Sequence, residues 1–420
     1  MCDRNSQNES PGRILIIEPL TSAVDLIPAA RRHGLDTVVA SFDRGERRVP
    51  DNVRGEVVIA RVDPNDETAL LKVAAVMHRD APFSAVLPGI EFYVGTAARV
   101  AHCLGLPGLP VATVDALRNK VMMRDAITAA GLRAPRYAAA GNAAELSAAA
   151  EFVGFPAVLK PAASAGAIHV TKVVDHVGLA RAYHEMLADD RPDDIGVSLD
   201  GQVLLEQYLP GPEISVEGFV YDGHVTLASV TTKILGPEPH FVEVGHILPR
   251  DMPDHQRRAV SRYVLAVCRA LDVTMGPFHC ELRLVDGEPV LVELGARLPG
   301  GHIVTLIEWV TGLSLVEVML AAHTKSPAVG FPQRSLPVAR YAGIHNFTAR
   351  RVARISAITG LDLVRSAEFV RDVQVFIQPG DDVPAYGDFR CRLGYVMFVA
   401  DTYEQALERR SAMASMVQFA

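Results

Sequence analysis

The sequence predicts a mixed α/β and α+β fold, with a doubly wound parallel sheet leading and a strand-rich region behind it. Three observations carry this expectation. Residues 13–114 alternate helices with short, near-continuously apolar strands, the pattern of a parallel sheet covered on both faces. Between residues 203 and 292 strands dominate, and 213–220 alternates so that Glu213, Ser215 and Glu217 share one face. Within that region Glu281 and Glu293 sit in apolar strands on either side of Asp286-Gly287, a hairpin turn signal.

The elements follow in order. Residues 1–12 are polar and have no apolar core, so they do not read as a signal peptide, and the chain is expected in the cytoplasm. The first domain, 13–114, opens with the buried strand Arg13-Ile-Leu-Ile-Ile17 and a helix over 22–33 that Gly34 stops. Strands at 37–42, 57–60 and 84–87 and helices near 66–79 and 92–104 complete it. Its first turn, Glu18-Pro-Leu-Thr-Ser22, contains no glycine, so a dinucleotide-binding fingerprint is absent. Leu106-Pro-Gly-Leu-Pro110 marks the boundary.

A second segment, 115–204, holds a helix over 115–130, a strand ending at Lys160-Pro161, the small-residue stretch 162–167 and a solvated loop at 189–194. The third, 205–330, holds a hairpin turning at Asp222-Gly223, a helix over 254–271 and the glutamate hairpin. A single core helix is expected over 303–322, where Glu308 and Glu317 argue against a membrane span. The last segment, 331–420, mixes strands with a final helix over 402–416.

Composition narrows the function. Hydrophobic residues make up 49% of the chain and charged residues 21%, enough apolar material for a large core. The net charge is -8 and no lysine or arginine block occurs, which excludes a nucleic-acid partner held through its phosphates. Five scattered cysteines form no CxxC pair, arguing against zinc and against a disulfide framework.

Several residues suit anionic substrates. Carboxylates inside apolar strands are costly unless compensated, and a magnesium ion bridging phosphate oxygens compensates them well. For Glu281 and Glu293 to act together they must face one side. A two-residue turn pairs Glu281 with Val292, whereas a three-residue loop, Asp286-Gly287-Glu288, pairs it with Glu293; the latter register is expected. Lys160, at a strand end before a small flexible loop, suits either phosphate neutralisation or a snorkelling surface role. Lys120, read alone, is a surface lysine. Glu206 to Glu213 suits an adenine edge and a ribose, or else an edge strand with solvated acids. His246 suits a substrate site or a buried histidine bonded to a carbonyl. Glu91 suits a substrate amine or a helix N-terminus.

Taken in order, these pieces resemble the ATP-grasp superfamily from about residue 120 to residue 302: Lys120, Lys160 with the loop after it, Glu206-Gln-Tyr-Leu209, Gly211-Pro-Glu213, and Glu281 followed by Glu293-Leu-Gly-Ala-Arg297. The resemblance implies an ATP-grasp fold, with two α+β lobes gripping ATP behind the parallel-sheet domain and 331–420 completing the large lobe. It implies nucleotide contacts from Lys120, Lys160, Ser164, Gly166, Glu206, Gln207, Leu209, Glu213 and Lys233. Glu281 and Glu293 would hold one or two magnesium ions, with manganese as a substitute. The family's usual Glu-x-Asn-x-Arg is broken here, with Gly295 in place of the asparagine. Within the superfamily, 239–249, 293–302 and Pro88-Gly-Ile-Glu91 look most like the bacilysin-type L-amino acid ligases. That likeness implies a substrate site of Glu91, Glu243, His246, Arg297, Gly300 and Gly301, with Arg297, Glu243 and His246 catalytic. The expected activity is acyl-phosphate-mediated joining of an amino acid carboxylate to an amine, with amino acids as small-molecule partners and no membrane. A homodimer is expected by analogy alone. Two readings stand beside it: a ligase or carboxylase acting on a non-amino-acid carboxylate, and a nucleotide-binding protein whose catalysis has decayed.

Overall fold

The computed structural model describes residues 12–189, 201–325 and 329–420. Most of the polar tail (1–11) and of the solvated loop (190–194) lie outside the described residues. Among the described residues, β1 (Arg13–Ile17), β2 (Asp36–Ser41), β3 (Val58–Arg61) and β4 (Ala85–Pro88) form a parallel sheet in the order β3-β2-β1-β4. Ile14 to Ile17 are fully buried, as a strand covered by helices on both faces requires.

The next sheet is antiparallel and orders β5 (Tyr137–Ala140), β6 (Ala157–Pro161), β7 (Thr171–Val173) and β8 (Val203–Gln207) as β5-β8-β6-β7. It is backed by helices Ala143–Val153 and His176–Ala188, capped by Asn142 and Asp175, whose side chains accept backbone N–H bonds.

The largest sheet has eight strands. β9 (Glu213–Tyr221), β10 (His224–Leu235), β11 (Glu243–Leu248), β12 (Gly276–Val285), β13 (Glu288–Gly295) and β14 (Tyr341–Phe347) come first in the chain. After the short β15 (Ile358–Thr359), which pairs with β18 (Gln418–Phe419) elsewhere, β16 (Val370–Val375) and β17 (Gly394–Ala400) join it. The order is β13-β12-β9-β10-β11-β14-β17-β16, so one sheet runs from the glutamate hairpin into the C-terminal segment.

Its two faces differ because side chains alternate. Ile214, Val216, Phe278, Cys280, Leu282 and Leu294 turn one way and pack on helix Asp254–Ala270 through Val260, Val264 and Val267. Those valines recur at the helical spacing, and each contributes about 1.5–3 kcal/mol by leaving water. Glu213, Ser215, Glu217, His279, Glu281 and Arg283 turn the other way.

The single core helix expected over 303–322 is two helices, Ile303–Thr311 and Leu315–Thr324, bent by 100°. Gly312 breaks it: its φ is 68°, and the Ser335 carbonyl occupies the place of any side chain. Ser314 then caps the second helix. Both are core helices, and among the described residues no single helix is long and apolar enough to cross a membrane.

Candidate active site

The glutamate hairpin reaches the expected pairing by a different route. Its loop is the two-residue turn Asp286-Gly287, both at positive φ (54° and 85°), not the three-residue loop expected from sequence. Near the turn Leu282 pairs with Leu291, the register that would misalign the acids. A bulge then inserts Val292, and beyond it Glu281 pairs with Glu293. The Val292 carbonyl, freed from the ladder, accepts from Arg124 Nη2 at 2.7 Å. Both glutamates line one cleft.

That cleft lies between the four-stranded antiparallel sheet and the eight-stranded one, and residues of both line it. The structure brings to it Lys120, Lys160, Ser164, Gly166, Glu206, Gln207, Leu209, Glu213 and Lys233, together with Glu281 and Glu293. The lysines are not surface groups. Lys120 is buried at the start of helix Lys120–Ala129, which Asn119 caps, and its Nζ donates to the Ser164 carbonyl at 2.8 Å and meets Glu293 at 3.2 Å. It therefore ties the small-residue loop to the hairpin. Lys160 Nζ lies 2.5 Å from Glu206 Oε1, and burial lowers its pKa against the pull of Glu206. Glu206 is no solvated edge acid. It is buried between Lys160 and Arg124, and these cations outweigh burial and hold its carboxyl below the usual range. Tyr208 and Phe241, which the sequence reading missed, add aromatic surface to the same cleft.

Lys233 stands among three acids: Glu213 at 3.0 Å, Glu243 at 2.5 Å and Glu281 at 2.6 Å. Those carboxylates approach one another closely enough to suggest a metal site, but the ammonium already fills their centre. The cleft's cation-binding potential therefore rests on the Glu281–Glu293 pair. Burial alone would raise Glu281, yet Lys233 and His279 hold it well below the usual carboxylate range.

Beneath Glu281 lies a chain of buried polar groups. His279 Nε2 is 3.0 Å from Glu281 and Nδ1 is 2.9 Å from Glu217, which Ser215 and Thr231 also satisfy. Burial opposes protonation of His279, but the two carboxylates prevail and raise its pKa to about 9. His279 was legible in principle: it lies two residues before Glu281 on the same strand face. Arg124, four residues after Lys120 on one helix face, carried the same kind of signal.

A second cavity adjoins the first, and Glu243, Glu281, Ala165 and Gly166 line both. It gathers all six expected substrate residues: Glu91, Glu243, His246, Arg297, Gly300 and Gly301. His246 is buried and neither ring nitrogen has a hydrogen-bond partner, so it is not bonded to a neighbouring carbonyl. Burial lowers its pKa to about 4, leaving it neutral near pH 7. Lys233 outweighs burial at Glu243 and lowers it to about 2. Glu91 opens the short 3-10 helix Glu91–Tyr93, a helix N-terminus as one reading of the sequence had it, but it is also ion-paired. Its buried carboxylate takes Arg297 Nε at 2.5 Å and Arg118 Nη1 at 3.0 Å.

Gly295 now has a physical explanation. A Cβ there would run into the Glu91 carboxylate, so the acid from the first domain occupies the space of the missing asparagine side chain. Phe389 and Arg392, from the C-terminal segment, also line the second cavity and were not foreseen.

Comparison with known proteins identifies the family of the fold. An ATP-grasp N-terminal domain matches residues 27–108, an ATP-grasp domain 153–306, and an L-amino acid ligase C-terminal domain 2 residues 345–420. Dapdiamide A synthase of Enterobacter agglomerans is 28% identical over 81% of this chain and 78% of its own length. Alanine–anticapsin ligase of Bacillus subtilis (strain 168) is 25% identical over 61% of this chain, and the match spans only 57% of that relative. A solved L-amino acid ligase from Bacillus licheniformis shares the fold with a TM-score of 0.82 at 24% identity, covering 97% of this chain and 98% of that one. The chain belongs to the ATP-grasp superfamily, and within it the likeness runs to the L-amino acid ligases.

Proposed function

We propose that the chain is an ATP-dependent ligase joining the carboxylate of one amino acid to the amine of another, releasing ADP and phosphate. The observation that carries this reading is the junction of the two cavities along Glu243, Glu281 and the 165–166 loop. It sets a lysine-rich cleft directly against a second cavity, which supports a nucleotide in the first and a substrate in the second. Lys120 and Lys160 hold phosphate oxygens, Glu213 the ribose, and Tyr208, Leu209 and Phe241 enclose the base. Magnesium bound by Glu281 and Glu293 would neutralise charge on the phosphates.

The substrate carboxylate attacks the γ-phosphorus, the bond to ADP breaks, and an acyl phosphate forms. The amine nitrogen, oriented by Glu243, then attacks the acyl carbon, the carbon–oxygen bond to phosphate breaks, and the amine proton passes to neutral His246. Arg297, with backbone N–H groups at Gly300 and Gly301, stabilises the tetrahedral oxyanion. The small-residue loop, which borders both chambers, shields the acyl phosphate from water. The test is ADP release measured over all pairs of the twenty L-amino acids. One acid and one amine together should stimulate it well above either alone. A flat background across every pair overturns the reading.

A further inference from the structure

We propose that Arg392 binds the carboxylate of the amine-bearing substrate while Glu243 beside it receives that molecule's amino group, so the acceptor is an α-amino acid rather than a simple amine. This rests on the function proposed above and deepens it.

Arg392 comes from the C-terminal segment, 149 residues after Glu243, and its Nη2 donates to Glu243 Oε2 at 3.1 Å. The segment carrying it is braced on the nucleotide side. Phe389 N–H donates to the Gly166 carbonyl at 3.2 Å, and the Phe389 ring fills the space where a Gly166 side chain would be. Arg392 is therefore held where the two cavities meet.

Two guanidinium groups face the substrate chamber, and they differ in what they have left to give. Arg297 has Nε in an ion pair with Glu91 at 2.5 Å and donates Nη1 to the Leu298 carbonyl. Arg392 has a buried Nε with no hydrogen-bond partner. Its one acid, Glu243, is shared, since Lys233 holds the other oxygen at 2.5 Å. A buried donor without an acceptor is unfavourable, and a substrate carboxylate supplies the acceptor.

The Glu243–Arg392 pair also has the right shape. A carboxylate and a guanidinium side by side complement the ammonium and carboxylate of one α-amino acid, whose charges are one carbon apart. A simple amine offers Arg392 nothing. Apolar neighbours in the chamber, Ile90, Phe92, Ile168, Leu298, Ile303 and Phe389, favour an acceptor with an apolar side chain.

The experiment uses the full chain and the amino acid pair giving the largest ADP release. The acceptor is compared with its carboxamide in the wild type, Arg392→Met and Arg392→Lys. Loss of a charge-assisted contact predicts an acceptor KM raised about 10- to 100-fold in Arg392→Met. The KM values for ATP and for the donor should stay within about twofold of wild type, because the contact sought is absent from both sites. Wild type should prefer the free acid to the carboxamide, Arg392→Met should use both alike, and Arg392→Lys should retain part of the preference. An undiminished preference in Arg392→Met, or a parallel rise in the KM for ATP, overturns the assignment and leaves the ligase reading standing. No amino-acid-stimulated ADP release from wild type overturns both.

Discussion

Replacing Lys233 with methionine tests the electrostatic centre of the site. The ammonium lies 2.5–3.0 Å from three carboxylate oxygens, and those oxygens lie within 4.8 Å of one another. At an effective dielectric of about 20, each ion pair is worth roughly 6 kcal/mol gross and each acid–acid repulsion at least roughly 3.5 kcal/mol. Three attractions therefore exceed three repulsions by at most roughly 8 kcal/mol before desolvation, and removing the lysine leaves the repulsions alone. Relaxation and proton uptake limit the net loss to about 3–5 kcal/mol. The sign of the pH dependence follows. In the wild type Glu243 and Glu281 titrate below the unfolded value, so their stabilisation persists above it and is lost only as pH falls through the depressed values. In Lys233→Met the freed acids titrate above the unfolded value, so the deficit is largest at pH 7.5 and shrinks towards pH 5. Three clustered carboxylates also suit a divalent cation, so magnesium should recover part of the loss. Urea unfolding at both pH values, with magnesium and with EDTA, measures all three effects. A loss below about 1 kcal/mol, or the same loss at both pH values, refutes the reasoning.

Two further outcomes follow from the same structure. Gly295→Asn should cost about 3–5 kcal/mol in urea unfolding, because displacing Glu91 leaves Arg118 and Arg297 without their buried partner. In a Glu91→Ala background the same substitution should cost at least about 1 kcal/mol less, and additive losses would show that the two sites are independent. His323 and His345 are buried and lowered to about 4, chiefly by burial. The unfolded chain takes up their protons first, so stability should fall between pH 6.5 and 4 by about 1.4 kcal/mol per pH unit for each histidine. A His323→Gln, His345→Gln double variant should lose their share of that slope and keep the share of His246, also lowered to about 4, and an unchanged slope would locate the acid sensitivity elsewhere.

What the sequence disclosed depended on range. Strand and helix patterns are local, so the parallel sheet, the shared face of Glu213, Ser215 and Glu217, and helix Asp254–Ala270 were legible from periodicity. The Glu281–Glu293 pairing was reached with the wrong loop, because a turn and a bulge each shift register by one residue and only coordinates separate them. The break at Gly312 escaped notice because apolar content continues through it; the cause is a carbonyl more than twenty residues away. Arg124 and His279 were readable by helix and strand spacing from residues already chosen. Glu91 filling the space at Gly295, and Arg392 reaching Glu243, join segments far apart in the chain, and no local pattern encodes such contacts.

The central claim is that Glu281 and Glu293, on one side of their hairpin, hold the cation that accompanies the nucleotide's phosphates. Titration calorimetry of Mg-ATP into wild type and into Glu293→Ala tests it most directly. Wild type should bind, and the variant should bind at least about tenfold more weakly with magnesium present, with the difference narrowing in EDTA. Equal affinities in magnesium, or no uptake of Mg-ATP by the wild type, would contradict it.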